Sequence, residues 1–358
     1  MAFIFFAVCG VVRAQWEIEN SGTTADLRGI DNVGGGVAWA SGTNGTVLRT
    51  EDGGYLWQLC AVPPGAEHLD FRGIQAFDAN TAIVMSSGKG DLSRLYKTTD
   101  GCHTWKLVFT NPDKDGFWDA VKLVPPSSGV REATGWRGIV IGDPVDGQMS
   151  LFTTNSEGGE NWSKIHDEIG LKSNPNEAIF AASNSSLIVL GGSTIFTSGG
   201  PSGARVFLEC PTCDIGMFIA RAVPLPKGES AGVFSIAGRE AQVLVAVGGD
   251  YTKPDDSTAT AAWSDDDWTW HAAHTPPQGY RSAVDYEAAT KTWITVGPNG
   301  TDISTDDGKN WRALHPNPAL HEAPDADRNW NALSLPFVVG PHGRIGKLRS
   351  DALNAVGK

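Results

Sequence analysis

Three arginines at matching places in a repeated sequence are the residues of this chain best equipped for recognition chemistry. Arg28, Arg72 and Arg281 occur in Leu27-Arg28-Gly29-Ile30, Phe71-Arg72-Gly73-Ile74 and Tyr280-Arg281-Ser282-Ala283-Val284. A guanidinium offers a planar fork of donors that grips a carboxylate or phosphate bidentately. The competing expectation is that these arginines pair within the protein, with Asp31, Asp119 or Asp285, since charged groups near a channel usually find a partner. Asp143 and Asp250 stand in two long loops, Gly142-Asp-Pro-Val-Asp-Gly-Gln148 and Gly248-Gly-Asp-Tyr-Thr-Lys-Pro-Asp-Asp256. Two such carboxylates serve glycoside hydrolysis as acid and base when their separation suits it. Asp-Pro and Asp-Tyr are equally ordinary turn chemistry. No catalytic residue is assigned beyond that alternative.

Other chemistry finds less support. Asn111-Pro-Asp113-Lys-Asp115-Gly116 imitates the start of a calcium loop, but Lys122 fills the twelfth position, where a bidentate glutamate is needed. The eight histidines include no HxH or HExxH pairing, and no Gly-rich phosphate loop leads from a strand into a helix, so neither metal nor cofactor is expected. The formal charge of -13 argues against a nucleic-acid surface, which needs a basic patch. Residues 1–14 form an apolar run too short to span a bilayer. With the small residue Ala14 before Gln15 they read as a signal peptide, so the chain is expected to be exported, without stable membrane insertion, as a monomer. Its removal leaves Cys60, Cys102, Cys210 and Cys213, an even count that permits disulfides. Cys210-Pro211-Thr212-Cys213 is expected to close a small loop. Cys60 and Cys102 can pair only if neighbouring units bring them together.

Around these residues the chain repeats itself. A Ser/Thr-x-Asp turn running into tryptophan recurs as Thr50-Glu51-Asp52-Gly53-Gly54 before Trp57, and as Thr98-Thr99-Asp100-Gly101 before Trp105. Looser copies precede Trp162, Trp270 (with Asp265) and Trp311 (with Asp306). An Asp in a tight turn accepts backbone N–H bonds, Gly supplies positive φ and Trp packs between units, so these aspartates are read as structural.

Each repeat reads as four short strands. The first opens at Leu27, Phe71, Phe117, Glu177, Gly232, Tyr280 and Trp330 in turn. A near-continuous apolar strand ending in glycine follows, then one leading into the Asp turn, then one beginning at the tryptophan. Seven units of roughly 40–55 residues with four antiparallel strands predict a seven-bladed β-propeller over 15–349, with a C-terminal tail over 350–358. The last unit has no fourth strand of its own, and the step from Trp16 to Trp57 equals that from Trp270 to Trp311. The N-terminal strand is therefore expected to complete the last blade, removing two open edges. The fourth unit lacks the Asp turn and tryptophan, with Phe207 as substitute.

In such a blade the first-strand starts and the loops after second strands share one rim of the central channel, opposite the Asp turns. That rim is expected to hold Arg28, Arg72, Arg281, Trp118, Asp119, Asp143, Asp250, Tyr251, Trp330 and His342. Long loops on a rigid scaffold are where binding residues concentrate.

The Arg-Gly-Ile segments, the run from Gly42 to Gly54, and Trp105, Trp162 and Trp311 resemble the Asp-box (BNR) β-propellers, and within them non-photosynthetic members of the photosystem II stability/assembly-factor-like family. The resemblance implies an exported, non-catalytic scaffold that binds a protein partner through arginines on one face, at Arg28, Arg72 and Arg281. Sialidases share the Asp box, which keeps a glycan-active hydrolase, with a glycan as ligand, as the alternative.

Overall fold

The structure, a computed structural model, describes residues 15–124, 137–156, 159–165, 170–210, 217–239, 243–266, 269–316, 318, 322–349 and 352–353. The expected signal peptide over 1–14 and Cys213 lie outside these residues. Seven sheets of four antiparallel strands follow one another around a ring. In six of them the strand order is the chain order. In the seventh, Trp16–Glu19 pairs with Ile345–Leu348, Trp16 opposite Leu348, so that the N-terminal strand closes the ring. No helix among the described residues is long and apolar enough to cross a membrane.

The core is seven separate apolar layers, one between each pair of neighbouring blades. This follows from strand geometry: successive side chains point to opposite faces, so a strand buried on both faces feeds two interfaces. In the first strand of the third blade, Ala120 packs toward the fourth blade while Val121 packs toward the second. The tryptophan of each Asp turn packs back onto the preceding blade. Trp57 meets Phe337 of the last blade edge-on at 5.5 Å, and Trp16 donates its indole N–H to Thr301 Oγ1 of the sixth at 3.2 Å.

The turn geometry repeats. Thr50 Oγ1 donates to Asp52 Oδ1 (2.9 Å), and Asp52 Oδ1 accepts the Leu56 N–H (3.0 Å). Thr98 with Asp100, and Ser304 with Asp306, repeat the arrangement at 2.9 and 2.8 Å. In the third blade Ser156 takes the aspartate's place. In the fifth blade Ser264 and the Thr269 N–H bind Asp266, not Asp265. The Asp265 assignment is one residue out, because the turn counts two residues on from the Ser/Thr hydroxyl.

Two further expectations are corrected by the fold. In the fourth blade the innermost strand is Leu187–Leu190, and 177–186 is irregular. The tryptophan's place at the start of the outer strand is taken there by buried Phe218, while Phe207 lies on the third strand, stacked on Phe196 at 4.5 Å. Cys60, after the outer strand of the first blade, is disulfide-bonded to Cys102 in the turn of the second. Cys102 adopts φ +63° where the matching turns have Gly54 and Gly308. Cys210 is also disulfide-bonded.

Candidate functional site

In six blades one residue, within the first strand or just before it, turns toward the ring axis. The sequences Leu27-Arg28, Phe71-Arg72, Trp118-Asp119, Val233-Phe234, Arg281-Ser282 and Trp330-Asn331 occupy the same two places in six blades. At the first place the side chain is buried in every case. The second residue is skipped by the strand pairing at Arg28, Arg72, Asp119 and Phe234, where the register shifts between Leu27 and Gly29, Phe71 and Gly73, Trp118 and Ala120, and Val233 and Ser235. These are β-bulges, which bend a strand and re-aim the extra side chain. All six second-place residues line one bowl of 530 Å³ at the channel mouth.

The fourth blade builds the remaining wall and the plug. Ala178 to Ala182 line the bowl. Below them Ser183 Oγ donates to the Ser282 carbonyl of the sixth blade, and Asn184 accepts the Val121 N–H of the third (2.8 Å) while donating to the Ile74 carbonyl of the second (3.1 Å). Ser185 Oγ bonds Ser235 Oγ of the fifth at 2.7 Å. Three consecutive residues touching four other blades must sit on the axis. Asn184 pays for this with φ +62°, a region asparagine tolerates better than most residues. Gly73 is forced by the same plug, since a Cβ there would lie 2.9 Å from Asn184 Oδ1.

The bowl divides by chemistry. On the side of the first two blades, Arg72 Nε donates to Asp70 Oδ2 at 2.8 Å and its terminal nitrogen to the Ala181 carbonyl at 3.1 Å. Arg28 is held more loosely, 3.6 Å from Asp70 and 3.7 Å from Asp26. Two guanidinium groups thus share Asp70 and remain about one-third exposed, at 27% and 31%. Opposite them is an aromatic wall in which Phe180 stacks on Phe234 at 3.9 Å, and Tyr280 meets Phe234 edge-on at 4.7 Å. Tyr251, half exposed, continues it at the rim.

On the third-blade side, Asp119 and Asp143 lie together. Burial pushes the Asp119 carboxyl well above the usual carboxylate range; the charge of Asp143 adds to the effect, while the charge of Arg72 and the backbone N–H of Asp143 oppose it. Burial also pushes Asp143 up to about 6, against the hydrogen bond it accepts from the Ile179 N–H at 2.9 Å.

Of the residues expected on the rim, the structure brings together Arg28, Arg72, Asp119, Asp143, Tyr251 and Trp330. Four are placed elsewhere. Arg281 stands at the first place, shared with Leu27 and Phe71, so it is buried at 1% exposure, with Nε donating to Asp302 at 2.8 Å. Its equivalent of Arg28 is Ser282. Trp118 occupies the same buried place, stacked on Phe109 at 5.1 Å. Asp250 does not line the bowl; hydrogen bonds from Ser230 and Thr252, with Lys253 alongside, hold its carboxyl far below the usual range. A carboxyl so stabilised as the anion is a poor acid, and the two-carboxylate arrangement with Asp143 loses its second member. His342 is 88% exposed beside Asp26, in a separate concavity with Ser21, Thr23 and Arg344.

The acids expected to hold the arginines also have other partners: Asp31 accepts from Gln75 and the Ala76 N–H, and Asp285 from the Tyr286 and Leu335 N–H groups. In the calcium-like stretch, Asp113 pairs with Lys164 and Asp115 with Lys89, so its carboxylates do not converge. Phe117, Phe180, Phe234 and Ser282 complete the bowl and are not evident from motif spacing. The small residue followed by Ile or Val that comes next in each blade (Gly29-Ile30, Ser235-Ile236, Ala283-Val284) is the sequence signal that marks Phe234 and Ser282.

No family model matches the sequence, and no curated protein matches it. Solved structures do match the fold. "YCF48 bound to D1 peptide" superposes with a TM-score of 0.63 at 16% identity, over 95% of this chain and 98% of that one. YCF48 from Cyanidioschyzon merolae gives 0.60 at 17%, over 94% and 100%. The WD40 propeller domain of Doa1 gives 0.57 at 10%, over 95% and 99%. At these identities the likeness shows the fold, a seven-bladed β-propeller built from four-stranded blades.

Proposed function

We propose that this protein is an exported, non-catalytic scaffold that holds an extended segment of a partner protein in the bowl at its channel mouth, in the manner of an assembly factor. The observation that carries the reading is the convergence of equivalent residues of six blades, four of them on β-bulges, on a single concavity. There two half-free guanidinium groups face an aromatic wall. Such a surface suits a peptide with a carboxylate near an apolar side chain: the arginines supply charge-assisted donors and the stacked rings supply rigid apolar area. The likeness to a propeller whose solved structure holds a peptide supports the same reading. Export is supported by the apolar leader and by the disulfide between Cys60 and Cys102, since such bonds persist in oxidising compartments.

The test is binding of a synthetic peptide array by fluorescence anisotropy, with the wild type and the Arg28→Ala/Arg72→Ala double variant. Peptides with acidic residues should be selected, and the double variant should bind them at least about tenfold more weakly, the loss of one charge-assisted contact. Equal binding by both proteins, or no selection at all, contradicts the reading.

A further inference from the structure

The arginines and the aromatic wall leave the third-blade side of the bowl unexplained. Asp119 is 1% exposed, lines the bowl and has no hydrogen-bond partner for Oδ2 among the described residues. An unsatisfied buried carboxyl oxygen costs free energy whether or not the group is ionised. Asp143 lines the same wall, with Oδ1 taken by the Ile179 N–H. The bulge between Trp118 and Ala120 aims Asp119 at the cavity, just as the bulge between Phe71 and Gly73 aims Arg72 in the preceding blade. We propose that Asp119 and Asp143 form a pocket for a lysine side chain of the bound peptide, its ammonium donating to Asp119 Oδ2 and to Asp143. This rests on the peptide-binding reading and gives it a second sequence requirement.

The choice of lysine follows from the acceptors. They come from two different carboxyl groups, one of them already bonded through one oxygen. A planar guanidinium wants both oxygens of a single carboxylate, whereas an ammonium turns three donors toward separate acceptors. A metal ion wants more ligands, and no third metal-binding side chain joins the two among the described residues. Phe117 and Phe180 line the way in and would cover the methylene stem while the charged head reaches the floor.

Binding is also linked to protons. The groups facing the floor are Arg28 and Arg72 from the first two blades, Asp143 beside it, and Tyr251 and Tyr280 from the fifth and sixth. Burial favours a proton on Asp119 in the empty bowl. An arriving ammonium favours the carboxylate and expels that proton. Below about pH 6 Asp143 takes up a proton as well, and affinity falls.

The experiment titrates the full chain at pH 7.5 with Nα-acetyl-lysine N-methylamide, its Nε-acetylated form and the arginine equivalent, following chemical shifts of the bowl aromatics. The lysine probe should bind about tenfold or more tightly than either analogue, and Asp143→Asn should lose about that factor. Calorimetry in two buffers of different ionisation enthalpy should show proton release that Asp119→Asn abolishes. Equal binding of the acetylated probe, or an Asp143→Asn variant that binds lysine normally, overturns the inference. If peptides still bind through Arg28 and Arg72 without lysine preference, the pocket fails and the scaffold reading stands. If the lysine probe binds and no peptide does, the site is an amine site and the peptide reading fails.

Discussion

Removing the bond between Cys60 and Cys102 tests whether neighbouring blades are stapled as the structure shows. The two cysteines are separated by 42 residues. Closing a loop of that length removes about 13 cal/mol/K of chain entropy from the unfolded state, or about 4 kcal/mol at 25 °C. The unfolding entropy of a ring this long is about 0.7 kcal/mol/K, so the loss corresponds to a fall in Tm of about 6 °C. The double variant Cys60→Ser/Cys102→Ser avoids leaving a free thiol in the buried interface where both sulfurs lie. Calorimetry and urea unfolding of wild type and variant, each without reductant, give the difference directly. Neither cysteine lines the bowl, so peptide affinity should not change. A variant within about 1 kcal/mol of wild type would refute the reasoning, as would a loss that persists when both proteins are compared fully reduced.

Arg281→Ala should destabilise the fold by about 3–5 kcal/mol, because it strands Asp302 as a buried unpaired charge, while the folded protein keeps its peptide affinity; Arg28→Ala should do the reverse. Asp143→Asn should raise stability at pH 7.5. The folded-state pKa of Asp143 is raised to about 6, so between its unfolded value and 6 the native state holds the extra proton and stability falls as pH rises. The gain is at most about 3 kcal/mol above pH 6 and vanishes near pH 4, a pattern that parallel melts at the two pH values will show or exclude. Asp266→Ala should lower stability by about 1 kcal/mol through loss of the turn bonds, with Asp265→Ala close to neutral; equal effects would place the turn aspartate wrongly.

The ring was legible in the sequence because its signals are local and repeated. A turn hydroxyl followed six to eight residues on by a tryptophan marks five of the blades, and the Trp16 spacing is enough to close the circle. The bowl was half legible for a related reason. Arg28 and Arg72 are followed by Gly-Ile, which fixes their place on the bulge. Arg281 is followed by Ser282-Ala283-Val284, and the apolar pair that sets register begins one residue later. One step along a strand reverses the face, so Arg281 turns into the blade interface and Ser282 takes its place at the mouth. The fourth blade misled because Ala178-Ile179-Phe180 has the apolar content of a strand but serves as the bowl wall. The disulfide could not be read because it depends on which loops of adjacent blades meet. Asp119 stood out as a rim residue, yet its missing partner is a property of packing alone.

Where the proposed peptide sits decides most. A photoreactive phenylalanine analogue placed at Tyr251, half exposed on the rim of the bowl, and in a second protein at Lys309, in an Asp turn on the opposite face, is irradiated with the tightest-binding peptide from the array. Crosslinking at Tyr251, abolished by excess unlabelled peptide and absent at Lys309, is the expected result. Crosslinking at Lys309 with none at Tyr251 would contradict a peptide seated in the channel mouth.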